Sequence, residues 1–200
     1  MILPWKILTS ADYAVSRWSG GVTTQLAICP PQAIYADRDF LWRVSSARVE
    51  TETSDFTPLP DYDRLIAPLE GEMTLWHDGG APVRLTPFAV HAFSGASATR
   101  SAGTCTDFNL MLRRGRAEGS MEALFPTGPM ALKAGPQEEM LALYCVRGSC
   151  IVSGGKACSR LRAGETLLAR RSLPLLLESR ILIQRLQRIC IFLLHLENVL

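Results

Sequence analysis

The chain predicts an all-β protein made of two similar halves, on three observations. Short alternating apolar runs recur along its 200 residues, separated by Gly, Pro, Asp and Ser. None of these runs carries a sustained 3.6-residue period. A stretch near residue 70 is also echoed near residue 147. Many short strands with turn signals between them build a sandwich or a barrel.

Residues 22–28 alternate, with Val22, Thr24, Leu26 and Ile28 expected on one face. Residues 41–49 put Trp42 and Val44 on one side, Arg43 and Ser45 on the other. Residues 73–76, 106–113, 141–146, 149–153 and 165–169 are further strands by the same pattern. Residues 173–196 fit either strands or a helix, and their pattern does not decide.

The echo gives the strands an order. The first copy reads Leu69-Glu-Gly-Glu-Met-Thr-Leu-Trp, a turn at Asp78-Gly-Gly, then Val83-Arg-Leu and an aromatic-rich stretch to Phe93. The second reads Val146-Arg-Gly-Ser-Cys-Ile-Val, a turn at Gly154-Gly155, then Ser159-Arg-Leu and Gly164-Glu-Thr-Leu-Leu. In each a strand ends at a glycine, which permits a bend that a Cβ would obstruct. An alternating strand follows, and a Gly-Gly turn suited to a hairpin sends the chain back. This is the order of a repeated cupin half. We therefore expect one bicupin unit over residues 1–200: a first half near 1–125 with the N-terminal strands, and a second near 126–200.

Composition narrows the function. With 48% hydrophobic and 20% charged residues the chain is an ordinary globular protein. A chain of this length buries roughly 70% of its unfolded surface and needs no staples. A net charge of +2 makes no strong claim on nucleic acid or anionic lipid. Residues 160–188 hold seven arginines against two glutamates, read as solvated strand faces or as a surface for an acidic partner. The start MILPWKILTS lacks a secretory pattern, and the longest clean apolar run near the end is far shorter than the ~20 residues that span a bilayer. The six cysteines include no CxxC pair and read as small buried thiols. The expected compartment is the cytoplasm, with no membrane or nucleic-acid partner. A homodimer through exposed strand edges is an open expectation.

Candidate chemistry is sparse. His77, His91 and His195 form no HxH, and no glutamate follows a histidine closely, so each is expected to be a lone, satisfied or solvated side chain. His77 is expected at a hairpin tip, before Asp78-Gly79. No metal and no cofactor are expected. G-x-S-x-G, the Walker loop and GxGxxG are absent from the sequence.

More informative is Thr106-Asp-Phe-Asn-Leu-Met-Leu-Arg, whose period of two puts Asp107, Asn109 and Met111 on one face. On a cavity face, Asp107 and Asn109 would meet a polar ligand; on the other reading they face water. Arg43 and Arg64 suit bidentate capture of a carboxylate, or else a buried pair with Asp63 or Asp107. In Trp18-Ser-Gly-Gly-Val-Thr-Thr-Gln the glycines form a plain turn or let the backbone approach a ligand, with Ser19, Thr23 or Gln25 supplying hydrogen bonds.

As a set, Trp18-Ser-Gly-Gly-Val-Thr-Thr-Gln-Leu, Asp39-Phe-Leu-Trp-Arg-Val-Ser-Ser-Ala, Phe56-Thr-Pro-Leu-Pro-Asp-Tyr-Asp-Arg, Leu69-Glu-Gly, Phe93-Ser-Gly and Asp107-Phe-Asn-Leu-Met resemble the HutD/Ves family. They run in the family's order over about residues 5–115, and the echo at 146–168 fits its second half. The resemblance implies a double-cupin fold without a metal centre. It also implies a link to histidine utilisation, through regulatory binding of a breakdown product such as formylglutamate. Arg64 would then hold a carboxylate or formyl group, with Arg43, Asp107 and Asn109 lining the same pocket. Two departures stand out. Arg17-Trp-Ser-Gly-Gly replaces Trp-Lys-Asn-Gly-Gly-Gly, so Ser19 stands where an asparagine contact is expected, and Pro60-Asp61 replaces a Pro-Gly.

The leading expectation is a small-molecule-binding regulatory protein for a carboxylate metabolite. The alternatives are a cupin-fold hydrolase or isomerase with Asp107 as general base, and an interaction protein using its arginine-rich segment.

Overall fold

The computed structural model describes residues 5–133, 140–170, 175–178 and 190–198. These hold nineteen strands and one 3₁₀ turn at Tyr35–Asp37. In chain order the strands are β1 (Trp5–Leu8), β2 (Ala14–Trp18), β3 (Gly21–Cys29), β4 (Trp42–Val49), β5 (Thr53–Asp55), β6 (Tyr62–Gly71), β7 (Met73–His77), β8 (Val83–Leu85), β9 (His91–Ser94) and β10 (Thr99–Ala102). They continue with β11 (Cys105–Arg113), β12 (Ala117–Leu124), β13 (Met130–Leu132), β14 (Met140–Arg147), β15 (Ser149–Gly154), β16 (Ala157–Arg162), β17 (Thr166–Arg170), β18 (Leu175–Glu178) and β19 (Cys190–Asn198). The strands expected from alternation are present within about a residue at each end. Of residues 173–196, the described ones form β18 and β19, and the rest lie outside the described residues.

The chain divides into two compact units. The first, Tyr13–Glu118, contains a six-stranded sheet in the order β2-β3-β4-β11-β6-β9 and a four-stranded sheet β5-β10-β7-β8. The second joins the N-terminal segment to Gly119–Glu197, with sheets β1-β17-β14-β19-β12 and β13-β18-β15-β16. The division therefore falls at Glu118 rather than near residue 125. β1 pairs antiparallel with β17, Trp5 opposite Ala169, and so belongs with the C-terminal strands instead of the first half.

The echoed glycines are where backbone demands them. Gly71 (φ 75°) and Gly148 (φ 81°) both adopt the left-handed region that side chains disfavour. A Cβ on Gly71 would lie 2.6 Å from the Thr104 carbonyl oxygen. The β7–β8 turn places Asp78 (φ 53°) and Gly79 (φ 72°) in succession, as the hairpin turn matched to strand twist requires.

Antiparallel register settles which side chains share a face. β11 lies between β4 and β6, with Asn109 opposite Ser45 and Ile66, and Met111 opposite Arg43 and Arg64. The alternating partners Val44, Phe108 and Leu110 are fully buried on the other face. One expectation fails on β3: its alternation breaks at a bulge between Gln25 and Ala27. The extra residue puts Ile28 opposite Arg43, on the face of Thr23 and Gln25 rather than that of Val22 and Thr24. There Ile28 packs with Phe40, Leu59, Tyr62 and Met111.

In the second unit Trp5, Leu141, Leu143, Val152, Leu161, Leu167, Leu177 and Leu193 make a continuous apolar core. Arg160, Arg162 and Arg170 are exposed, and the other arginines of the basic stretch lie outside the described residues. Among the described residues no helix is long and apolar enough to cross a membrane.

Candidate functional site

The first unit holds a cavity of about 920 Å³ that is open to solvent on one side. Its wall is the face of β4, β11 and β6 that carries Arg43, Ser45, Asp107, Asn109, Met111 and Arg64. Ser19 and Thr23 line it as well, whereas Gln25, offered beside them, is engaged by Arg43 and is not part of the lining. The face of Asp107 and Asn109 is thus a cavity wall and not a water-facing sheet surface; the two residues are only 4% and 5% exposed.

Arg43 is held by its own sheet. Its Nε donates to Gln25 Oε1 at 2.8 Å and its Nη1 to Ser45 Oγ at 3.0 Å. The guanidinium carbon lies 4.2 Å from the centre of the Tyr35 ring, and that of Arg38 lies 3.9 Å from the same ring. Such stacking uses the ring's negative face and leaves the edge donors free. Burial lowers the pKa of Arg43, with Tyr35 opposing the shift.

Arg64 is bound more loosely. It rests against Phe56 and Phe93, at 4.8 and 5.1 Å from the ring centres. Its Nε is buried without a hydrogen-bond partner. Burial pushes its pKa down to about 10, against the pull of Tyr35 and Asp107, so it stays charged at neutral pH. Asp63, considered as its partner, points away: it is exposed and takes Arg114 at 2.7 Å. Asp107 is the carboxyl that couples to Arg64, yet burial raises its pKa to about 7 despite Arg64, the Ala47 backbone donor and Arg43. A carboxylic acid there is half protonated near neutrality and can accept or donate.

Four buried side-chain polar atoms lack hydrogen-bond partners among the described residues: Arg38 Nη1, Thr51 Oγ1, Arg64 Nε and Asn109 Oδ1. Every one belongs to a residue lining this cavity. Each unsatisfied group costs about 1–3 kcal/mol, and native proteins hold few of them. Five arginines line the space (Arg17, Arg38, Arg43, Arg64 and Arg100) against two carboxyls, Asp55 and Asp107. The cavity is therefore cationic, with donors left to give.

Tyr35, Arg38, Thr51 and Phe56 were not picked out as site residues from the sequence. The first three sit in turns with no periodicity to place them, whereas Phe56 lies within one of the quoted motifs. In the Trp18–Gly21 hairpin, Gly20 lines the cavity beside Ser19, while Gly21 has a structural role. A Cβ on Gly21 would lie 2.0 Å from the Arg48 carbonyl oxygen, so this glycine serves the close approach of β3 to β4. Trp18 Nε1 donates to Thr23 Oγ1 at 3.2 Å across that hairpin.

The histidines depart from expectation in one respect. His77 ends β7 beside its turn, but it is not alone, because its Nε2 lies 3.0 Å from His91 Nε2. His195 approaches Glu122 at 3.9 Å. Among the described residues no three His, Cys, Asp or Glu side chains converge as a metal cluster. Burial pushes the thiols of Cys105 and Cys145 up to about 12 and those of Cys150 and Cys190 up to about 11, which keeps them protonated.

Comparison with solved structures agrees with this architecture. A conserved protein of unknown function from Pseudomonas aeruginosa PAO1 superposes with a TM-score of 0.82 at 25% identity, covering 96% of this chain and 98% of that one. HutD from Pseudomonas fluorescens SBW25, solved in a formate condition, gives 0.75 at 22% identity over 97% and 98% of the two chains. The bacterial pirin YhhW from Escherichia coli, in complex with nickel(II), gives 0.69 at 9% identity over 98% and 100%. The fold is accordingly a cupin-like, pirin-like β jelly roll. No curated protein matches the chain. The HutD family model matches residues 10–185, nearly the whole of the two-unit fold, and the chain belongs to the HutD family.

Proposed function

We propose that this protein is a cytoplasmic regulatory binding protein that senses a small carboxylate metabolite in the cavity of its first unit. The observation that carries the reading is the set of unpartnered buried polar atoms, Arg38 Nη1, Thr51 Oγ1, Arg64 Nε and Asn109 Oδ1, around one cationic space. A carboxylate would accept from Arg64, and a protonated Asp107 could donate to it. A second polar end of the same ligand would meet Arg38 and Thr51. Recognition of this kind uses guanidinium donors and needs no metal. Membership of the HutD family supports a metabolite of histidine breakdown, and formylglutamate, with two carboxylates and a formamide, matches the donors in kind.

Thermal-shift titration with formylglutamate, urocanate and glutamate tests this, since a ligand of the folded form alone must stabilise it. The expected outcome is a saturable rise with one compound, lost in Arg64→Ala. A wild-type response that Arg64→Ala retains would remove Arg64 from recognition.

One observation favours a second reading, that of a cupin-fold hydrolase or isomerase. Asp107, with its pKa near 7 inside the cavity, is poised as a general base. Turnover of the bound compound that disappears in Asp107→Asn while binding persists would establish it.

A further inference from the structure

Outside the cavity, two imidazoles are brought together from different sheets. His77 is the last residue of β7, in the four-stranded sheet, and His91 is the first of β9, in the six-stranded sheet. Each is fixed by pairing, His77 opposite Thr99 and His91 opposite Ile66. Their rings stack with centres 5.2 Å apart and planes 23° apart, and Phe93 packs 4.7 Å from His77 and 5.9 Å from His91. Both rings are half-buried and so reachable from solvent.

The protons on these rings can be assigned from their neighbours. Thr99 Oγ1 lies 3.2 Å from the Ser97 carbonyl oxygen and 2.9 Å from His77 Nδ1. A hydroxyl has one proton, and a carbonyl can only accept, so Thr99 donates to Ser97 and accepts from His77 Nδ1–H. Nε2 of His77 is then a lone pair aimed at His91. This is the arrangement of a metal-ligating histidine, whose outer nitrogen is tied to an oxygen that sets the tautomer.

We infer that His77 and His91 form a two-imidazole site for a borderline divalent transition ion of the Ni(II) or Cu(II) kind. With metal–nitrogen bonds of about 2.0–2.1 Å, a separation of 3.0 Å corresponds to an angle of about 94° at the ion. That is the cis angle of tetragonal and octahedral coordination, which Cu(II) and Ni(II) favour, and it is narrower than the tetrahedral angle of structural zinc. The remaining positions would hold water. On binding, the proton now between the two Nε2 atoms moves to Nδ1 of His91, each ring stays neutral, and no proton is released.

The electrostatics are compatible with this assignment. Burial lowers the pKa of His77, with Asp78 opposing and Arg64 adding to the shift, and burial and His77 together lower that of His91. The site is separate from the carboxylate cavity and does not rest on it.

The test is titration of the EDTA-stripped full chain with NiCl₂ and CuCl₂ by calorimetry, followed by electron paramagnetic resonance of the copper form. The expected result is one saturable site with two imidazole nitrogens on Cu(II), unchanged in His195→Ala. Loss of an outer partner alone weakens metal sites about 10–100-fold, so His77→Gln or His91→Gln should weaken this one at least as much. Thr99→Val keeps both ligands and should weaken binding about tenfold by freeing the His77 ring. Circular dichroism of each variant separates loss of the site from loss of the fold. Absence of saturable binding, or binding retained in both folded histidine variants, would overturn the assignment.

Discussion

In the first unit the strand leading into the glycine bend turns Arg64 and Ile66 inward, whereas its counterpart in the second turns Leu141 and Leu143 inward. The correspondence follows from aligning Gly71 with Gly148, the bends that end β6 and β14. It extends to the neighbouring strand. Asn109 on β11 lies opposite Ile66, and Leu193 on β19 lies opposite Leu143. One scaffold has thus been finished in two ways. Leu141, Leu143 and Leu193 close the second interior into a core, while Arg64, Asp107 and Asn109 keep the first from collapsing because no apolar packing can satisfy them. A unit of this kind closes without the polar set, as the second one does.

Exchanging the character of the two interiors gives the largest expected effect. Leu141→Arg would set an unpaired charge in the apolar core of the second unit, where Leu141 is 2% exposed. Leaving a buried charge without a partner costs about 3–5 kcal/mol. The melting temperature should fall by more than about 10 °C. A variant that melts like the wild type would mean the second interior has room and water that its packing denies.

Asp107 gives the next largest effect, visible as a pH dependence. Its folded pKa is raised from an ordinary 3.8 to about 7, chiefly by burial. Between those values the folded chain holds a proton that the unfolded chain has released. Its contribution to stability is therefore full below about pH 4, declines as pH rises, and is gone once pH passes through about 7. Up to about 4 kcal/mol is at stake. Denaturant melts at pH 5 and pH 8 should differ by less in Asp107→Asn than in wild type. An unchanged difference would assign the slope to other groups. Carboxylate affinity should weaken above pH 7 for the same reason, since the ionised Asp107 then repels the ligand.

Arg64→Leu carries the second unit's chemistry into the first. Replacing a poorly paired buried charge with an apolar side chain is neutral or stabilising by about 1–4 kcal/mol. The apo protein should melt higher, and its response to carboxylate should vanish. A destabilised Arg64→Leu would show that the stacking on Phe56 and Phe93 holds the unit together.

The reach of the sequence follows the same division between strands and turns. A period of two located Asp107, Asn109 and Met111 on one face, and the same rule paired Arg43 with Ser45, because alternation is local and register merely aligns it. The echoed glycine bends were legible because their backbone excludes other residues. The β3 bulge was not, since one extra residue leaves no compositional mark, and it moved Ile28 to the other face. Tyr35 and Arg38 were illegible for a related reason. They reach the cavity through the 3₁₀ turn at Tyr35–Asp37, where no repeat ties sequence position to direction. The His77–His91 approach depends on two sheets meeting, so spacing along the chain could not reveal it.

The weakest expected effect lies in the apolar second unit. If unsatisfied polar atoms mark a binding cavity, the second unit should depend on satisfying the polar groups it buries. Trp5 is 6% exposed within the apolar cluster, and its Nε1 donates to Ser159 Oγ at 3.1 Å. Ser159→Ala removes the acceptor and leaves the indole N–H without it, a loss of about 1–2 kcal/mol. The removed hydroxyl is too small to leave a cavity of consequence, so the cost isolates the hydrogen bond. A fall of several degrees in melting temperature is expected, with carboxylate response at the first unit intact. An unchanged melt would mean the indole tolerates being unsatisfied, and the orphaned atoms around Arg64 would then lose much of their force as a sign of a ligand.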